Sequence, residues 1–177
     1  SMLQKLDKQK VLIVISAMGK MTNAFEEIVN VYHQNGTNLN ELLDKTRLFH
    51  LSIIDDLNFD QKASIYEELN NIFKDISNFL KKNNSTDYNY IYDQIVSKAE
   101  FISTKICSAY LESNDIDNEW LDVRQCIKTD SDFRRAKVDW DTSTIAIQKM
   151  VNTSGITITQ GFIGSDNYGR TTTLGRE

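Results

Sequence analysis

The chain has 177 residues, 40% of them hydrophobic and 25% charged, with a formal net charge of −5. That length fits one domain whose core needs no metal or disulfide staple. The acidic balance argues against non-specific nucleic-acid binding, and no apolar run approaches the ~20 residues of a membrane-spanning helix.

The first residues, Ser1-Met2-Leu3-Gln4-Lys5, carry no signal-peptide core, and the Ser before Met looks like a tag remnant. Cys107 and Cys126 lie outside any Cys-x-x-Cys or Cys/His cluster, and His33 and His50 are the chain's two histidines. A His-based zinc site or a Ser-His-Asp triad is therefore not expected. The thiols read as reduced side chains of a cytoplasmic protein.

Proline is absent, and Gly155, Gly161, Gly164, Gly169 and Gly175 crowd into the last quarter of the sequence. Turns and strands should gather at the ends, around a helical middle. The β-branched run Val11-Leu12-Ile13-Val14-Ile15 reads as a strand of a parallel sheet, buried on both faces. Gly19 turns the chain, and Thr22 or Asn23 should cap a helix, Asn23 and Glu26 forming a capping-box-like pair. Phe25, Ile28, Val29 and Tyr32 form its apolar stripe, and Asn35-Gly36 should end it.

Residues 38–113 keep a helical period. Leu39, Leu42, Leu43 and Thr46, continued by Phe49 and Ile53, form one stripe. A second runs from Ile65 through Leu69, Ile72, Phe73, Ile76 and Phe79 to Leu80, before a polar loop at 81–85. A third helix carries Ile91, Ile95, Ala99, Ile102, Ile106 and Tyr110. Beyond it, 120–123 and 126–129 are strand-length, 142–151 should be a helix capped by Asp141, and 156–160 alternates as a strand. Asp166-Asn167-Tyr168-Gly169 is turn chemistry, with Arg170 to Leu174 as a returning strand. The whole predicts an α/β sandwich with a mostly parallel sheet.

Ligands of such sheets bind beyond the C-terminal strand ends. One such end is Ser16 to Asn23, whose amides and hydroxyls open onto a helix N-terminus, although an ordinary turn would look the same. The other runs from Gly161 to Arg176 and concentrates glycines, arginines and the triplet Thr171-Thr172-Thr173, suiting a phosphate or carboxylate, or a plain hairpin. Glu100 and Ser103 share a helix face beside apolar Ala99 and Ile102. A carboxylate so placed wants a cation, from the protein or from a ligand ammonium.

Together these segments resemble aspartate kinase, of the amino-acid kinase family. Val14 to Asn23 is similar to its valine-rich strand and Ser-Ala-x-Gly-x-x-Thr-Asn loop, and Ala99-Glu100-Phe101-Ile102-Ser103 to its Gly-Glu-x-x-Ser helix. Lys128-Thr129-Asp130 with Phe133 and Ala136 is similar to its middle segment. The most specific likeness is Gly161-Phe162-Ile163-Gly164 followed by Gly169-Arg170-Thr171-Thr172-Thr173-Leu174-Gly175-Arg176.

The resemblance implies a three-layer α/β/α sandwich and transfer of phosphate from ATP, with Mg²⁺, to the side-chain carboxylate of L-aspartate, opening the route to lysine, threonine and methionine. It implies that Glu100 binds the α-ammonium and Arg170 the α-carboxylate. Ser16 and Thr22 should lie near the reacting carboxylate, with Phe162 and Thr173 lining the same pocket. The family's Lys-Phe-Gly-Gly strand, which supplies the phosphate lysine, has no counterpart here, and Ala99 replaces a glycine.

Residues 1–177 thus read as a partial kinase domain without ACT regulatory domains, inactive alone, with no catalytic residue, metal ligand or bound ATP of its own. Partners expected are L-aspartate and a second copy through exposed sheet edges, with no nucleic acid and no membrane. Two other readings stay open. One is a kinase of glutamate or N-acetylglutamate; the other is a non-catalytic helical interaction domain.

Overall fold

The computed structural model describes residues 10–151 and 155–175. Strand β1 (Val11–Ile15) leads into five helices: α1 (Met21–His33), α2 (Leu39–Asp56), α3 (Ser64–Lys82), α4 (Tyr88–Val96) and α5 (Lys98–Glu112). Then come β2 (Asn118–Leu121), a 3-10 turn at Val123–Gln125, α6 (Trp140–Met150), β3 (Ile156–Gln160), β4 (Ile163–Ser165) and β5 (Thr171–Thr173). Helices and a parallel sheet make this an α/β fold, as the sequence implied.

Strands β1 and β2 both pair parallel to β3, which lies between them and is buried along its whole length. Ile13 and Trp120 both register with Ile158, and Trp120 donates from Nε1 to Thr104 on α5, so this face looks onto the helices. Leu12 and Val14 point the other way and stay 48% and 58% exposed. With Leu121, Thr159 and Ile147 of α6 they border an apolar cleft of about 240 Å³. Strand β1 is therefore covered mainly on one face, unlike the doubly buried strand its β-branched run implied.

The main core lies among the helices. Phe25, Ile28 and Val29 of α1 meet Leu69, Phe73 and Ile76 of α3 and Ile91 and Ile95 of α4. On α2 the buried face runs Leu42, Leu43, Thr46, His50, Ile54, so the core takes His50 and Ile54 where the apolar pattern offered Phe49 and Ile53. His50 gives Nδ1 to the Thr46 carbonyl at 2.8 Å among the rings of Phe25, Phe49 and Phe73. Among the described residues no helix is long and apolar enough to cross a membrane.

Several local expectations change. Helix α1 starts at Met21 with Lys20 in the cap position and no side-chain cap, so Asn23 lies inside the helix. Asp139, not Asp141, caps α6: its carboxylate accepts the Thr142 amide, because Asp139 is the last extended residue after the Thr129–Val138 bridge. The third predicted helix is two, parted at Ser97, whose hydroxyl reaches the Gln94 carbonyl and competes with the helical ladder. Residues 126–129 form isolated bridges instead of a strand.

Gly164 marks where β4 presses on the preceding segment. A Cβ there would stand 2.9 Å from the Ile127 carbonyl oxygen and 2.9 Å from Thr129 Cγ2. Gly164→Ala is expected to cost about 1–3 kcal/mol, the usual range for overpacking, read as a lower urea midpoint at unchanged slope.

Candidate functional site

The loop after β1, the C-terminal end of β3 and the first turns of α5 converge. Ser103 donates its hydroxyl to the Ser16 carbonyl at 2.8 Å, and the Gly161 amide donates to the Ile15 carbonyl at 3.0 Å. Gly161 permits this approach, since a Cβ there would lie 3.2 Å from Ser16 Oγ. Gly19 turns the loop in the left-handed region at φ 56°. Thr22 follows, half-buried in the first turn of α1.

Glu100 sits one turn before Ser103 on α5 and is only 2% exposed. Its place in the first turn suits a negative charge, because the helix N-terminus carries partial positive charge.

Immediately after Gly161 the chain is strained. Phe162 holds φ 69°, a left-handed conformation that costs a bulky residue of order 1–3 kcal/mol. Its carbonyl accepts the Leu174 amide at 2.9 Å, which closes the β4–β5 hairpin onto this point. Phe162, Thr173 and Gly175 then line a depression of about 380 Å³ with Asn89, Tyr92, Arg134 and Arg135.

Helix α4 holds this hairpin. Asp93, fully buried, accepts the Thr173 amide at 2.8 Å, the Thr173 hydroxyl at 2.7 Å and the Arg134 amide at 3.0 Å. Burial pushes its carboxyl up to about 6, against the pull of these donors and of the Arg134 charge. Gln94 grips Thr171 as a strand would, donating to its carbonyl at 2.8 Å and accepting its amide at 3.2 Å. Thr172 shares a 2.7 Å bond with Thr129, and Thr171 accepts from Arg124 at 3.0 Å. Each threonine of the triplet is thus tied to a different element.

Arg170 points elsewhere. Its Nε donates to Asp166 at 2.7 Å, its Nη2 lies 2.6 Å from the same carboxylate, and Nη2 also donates to Ser131. Burial alone would raise Asp166, but the Arg170, Ser131 and Tyr168 donors hold it below the usual carboxylate range. The guanidinium stacks over Phe133 and Tyr168 and borders a separate open cavity of about 640 Å³ with Phe79, Lys82 and Tyr90. The structure therefore groups Ser16 with the Glu100–Ser103 face and Phe162 with Thr173. Arg170 is committed to Asp166, and Arg176 lies outside the described residues.

Residues 1–176 match the amino acid kinase family. The chain belongs to that family. It is 31% identical over 169 residues to lysine-sensitive aspartokinase 3 of Escherichia coli K12, and 27% identical over 165 residues to an aspartokinase of Chlamydia trachomatis. Each comparison covers 93% of this chain and 36% of the relative, so the chain spans about a third of their length. Its fold is similar to E. coli aspartokinase III with lysine and aspartate (TM-score 0.81, 31% identity, 93% of this chain and 37% of the other). It is equally similar to the same enzyme with aspartate and ADP (TM-score 0.82, 30% identity, 94% and 37%).

For a kinase domain of this family, the residues that sequence reasoning missed are Asp93, Gln94, Arg124 and Arg134. A faint signal existed: Asp93-Gln94 interrupts an otherwise apolar run from Ile91 to Val96. Arg134 offered none. Its φ of 68° and its stacking on Tyr92 exist only in the folded chain.

Proposed function

We propose that this chain is the amino-acid-binding part of an aspartate kinase, in which ATP phosphorylates the side-chain carboxylate of L-aspartate to give 4-phospho-L-aspartate. The buried Glu100 beside the Ser16 loop carries this reading. A carboxylate at 2% exposure is costly unless a cation meets it, and a substrate α-ammonium is such a cation. The likeness to aspartokinase structures containing aspartate supports the choice of amino acid.

On this reading Ser16 and Thr22 flank the reacting carboxylate, and Phe162 and Thr173 shape the pocket wall. Arg170 takes the α-carboxylate only if Asp166 releases it; Arg134 and Arg135, beside Phe162 and Thr173, are placed to do so without that exchange. Binding oriented in this way is the residues' contribution, since phosphoryl transfer depends on positioning and charge neutralisation more than on covalent chemistry. ATP supplies the phosphoryl group, and Mg²⁺ would neutralise its charge. Among the described residues no three His, Cys, Asp or Glu side chains gather as metal ligands, so no step is assigned to the ion here.

Cys107 and Cys126 are both free, which suits a cytoplasmic setting. The edge strands β1 and β2 are where a second copy would pair. The test is acyl-phosphate trapping with hydroxylamine, ATP, Mg²⁺ and L-aspartate. A polypeptide extended to the relatives' length is expected to give aspartyl hydroxamate. The 177-residue chain, covering 36% of that length, is expected to give none. Hydroxamate from glutamate in place of aspartate would move the substrate to the related kinases.

A further inference from the structure

Asp93 is the one residue that ties both sides of the Phe162–Thr173 depression together. From α4 it reaches β5, 80 positions away, and the turn at Arg134, 41 positions away. Both backbone amides go to its Oδ2, while the Thr173 hydroxyl goes to Oδ1. A hydroxyl whose hydrogen is committed has only lone pairs left for a ligand. The Arg134 turn needs an anchor as well, because a left-handed arginine costs energy that its surroundings must offset. Its guanidinium is held by Glu26 at 3.4 Å and by the face of Tyr92, so fixing the backbone fixes where this charge lies.

We propose that Asp93 is a positioning residue for this depression, locking β5 to the Arg134 turn and fixing the Thr173 hydroxyl as an acceptor toward the bound amino acid. It rests on the reading that the depression takes part of the substrate. Asparagine at this position separates position from packing. Its amide oxygen can keep both backbone amides at the Oδ2 site. Its NH₂, at the Oδ1 site, must then donate to Thr173, turning that hydroxyl from donor to acceptor and freeing its hydrogen toward the ligand.

The experiment is isothermal titration of the 177-residue chain with L-aspartate, using wild type, Asp93→Asn, Thr173→Val and the double variant. Asp93→Asn is expected to melt no lower than wild type at pH 7 and to bind about tenfold more weakly, the worth of one hydrogen bond. The double variant should then bind no more weakly than Thr173→Val alone. Unchanged affinity in Asp93→Asn, or additive losses in the double variant, would overturn the proposal.

If wild type binds no L-aspartate, the substrate reading fails by itself, and Asp93 is judged by amide exchange in the wild-type chain. Arg134 and Thr173 amides exchanging as slowly as the interior of α4 would support the lock. Exchange at surface-loop rates would overturn it.

Discussion

Replacing Glu100 by glutamine is expected to weaken L-aspartate binding by about 100-fold with little effect on folding, since removing one partner of a buried charge pair costs 2–5 kcal/mol. Glutamine keeps the side chain's shape among Ala99, Ile102 and Ser103, all buried beside it, but offers no charge to an ammonium. Calorimetric titration measures the loss, and thermal melting checks the fold. The same variant discriminates between substrates. An N-acetylated amino acid has no ammonium to satisfy, so its affinity would change far less. If aspartate binds Glu100→Gln as well as wild type, the carboxylate does not read the amine and the central assignment falls.

Two buried titratable groups should give stability opposing pH dependences. Asp93 has a folded value of about 6 against an ordinary 3.8, so between those values the native state binds more protons than the unfolded state. Its contribution is full below pH 4 and is lost as pH rises through 6. The span is worth about 3 kcal/mol. The groups facing Asp93 are the Arg134 charge and amide and the Thr173 amide and hydroxyl, which pull its value down without reversing the effect of burial.

His50 works the other way. Burial lowers its value below 6.5, against the Thr46 carbonyl bond that raises it. The unfolded chain then binds the extra proton, so stability is present above pH 6.5 and declines as pH falls. Urea unfolding at pH 4 to 7 separates the two. Relative to Asp93→Asn, wild type should lose about 3 kcal/mol on going from pH 4 to pH 7. Relative to His50→Leu, it should gain over the same range. A flat difference for either variant would show that its group does not titrate in the folded core.

Local information carried far where periodicity was strong. Ile65, Leu69, Phe73, Ile76 and Leu80 are buried on α3 at the spacing the sequence displays, and 156–160 is the strand its alternation announces. It failed where two local choices compete. Asp139 and Asp141 are equally good caps in sequence, and the Thr129–Val138 bridge decides between them by holding Asp139 extended. On α2 the drift from Leu43 to His50 depends on where α1 and α3 lie, so an apolar pattern preferring Phe49 selects the wrong side chain.

The sequence by itself determined the fold class and the family, because strand-loop-helix signals and the Gly-Arg-Thr-Thr-Thr run are short-range patterns written in contiguous residues. It also singled out Glu100, since a carboxylate at helical spacing beside apolar neighbours is a local anomaly. The tertiary structure alone decided which side chains serve the site. Arg170 is adjacent in sequence to Thr171 yet turns to Asp166, while Thr173 is held by Asp93 from 80 residues away. Side-chain partners are set by where distant elements come to rest, and a hydrogen bond weakens steeply with misalignment, so no pattern in the linear chain reveals them.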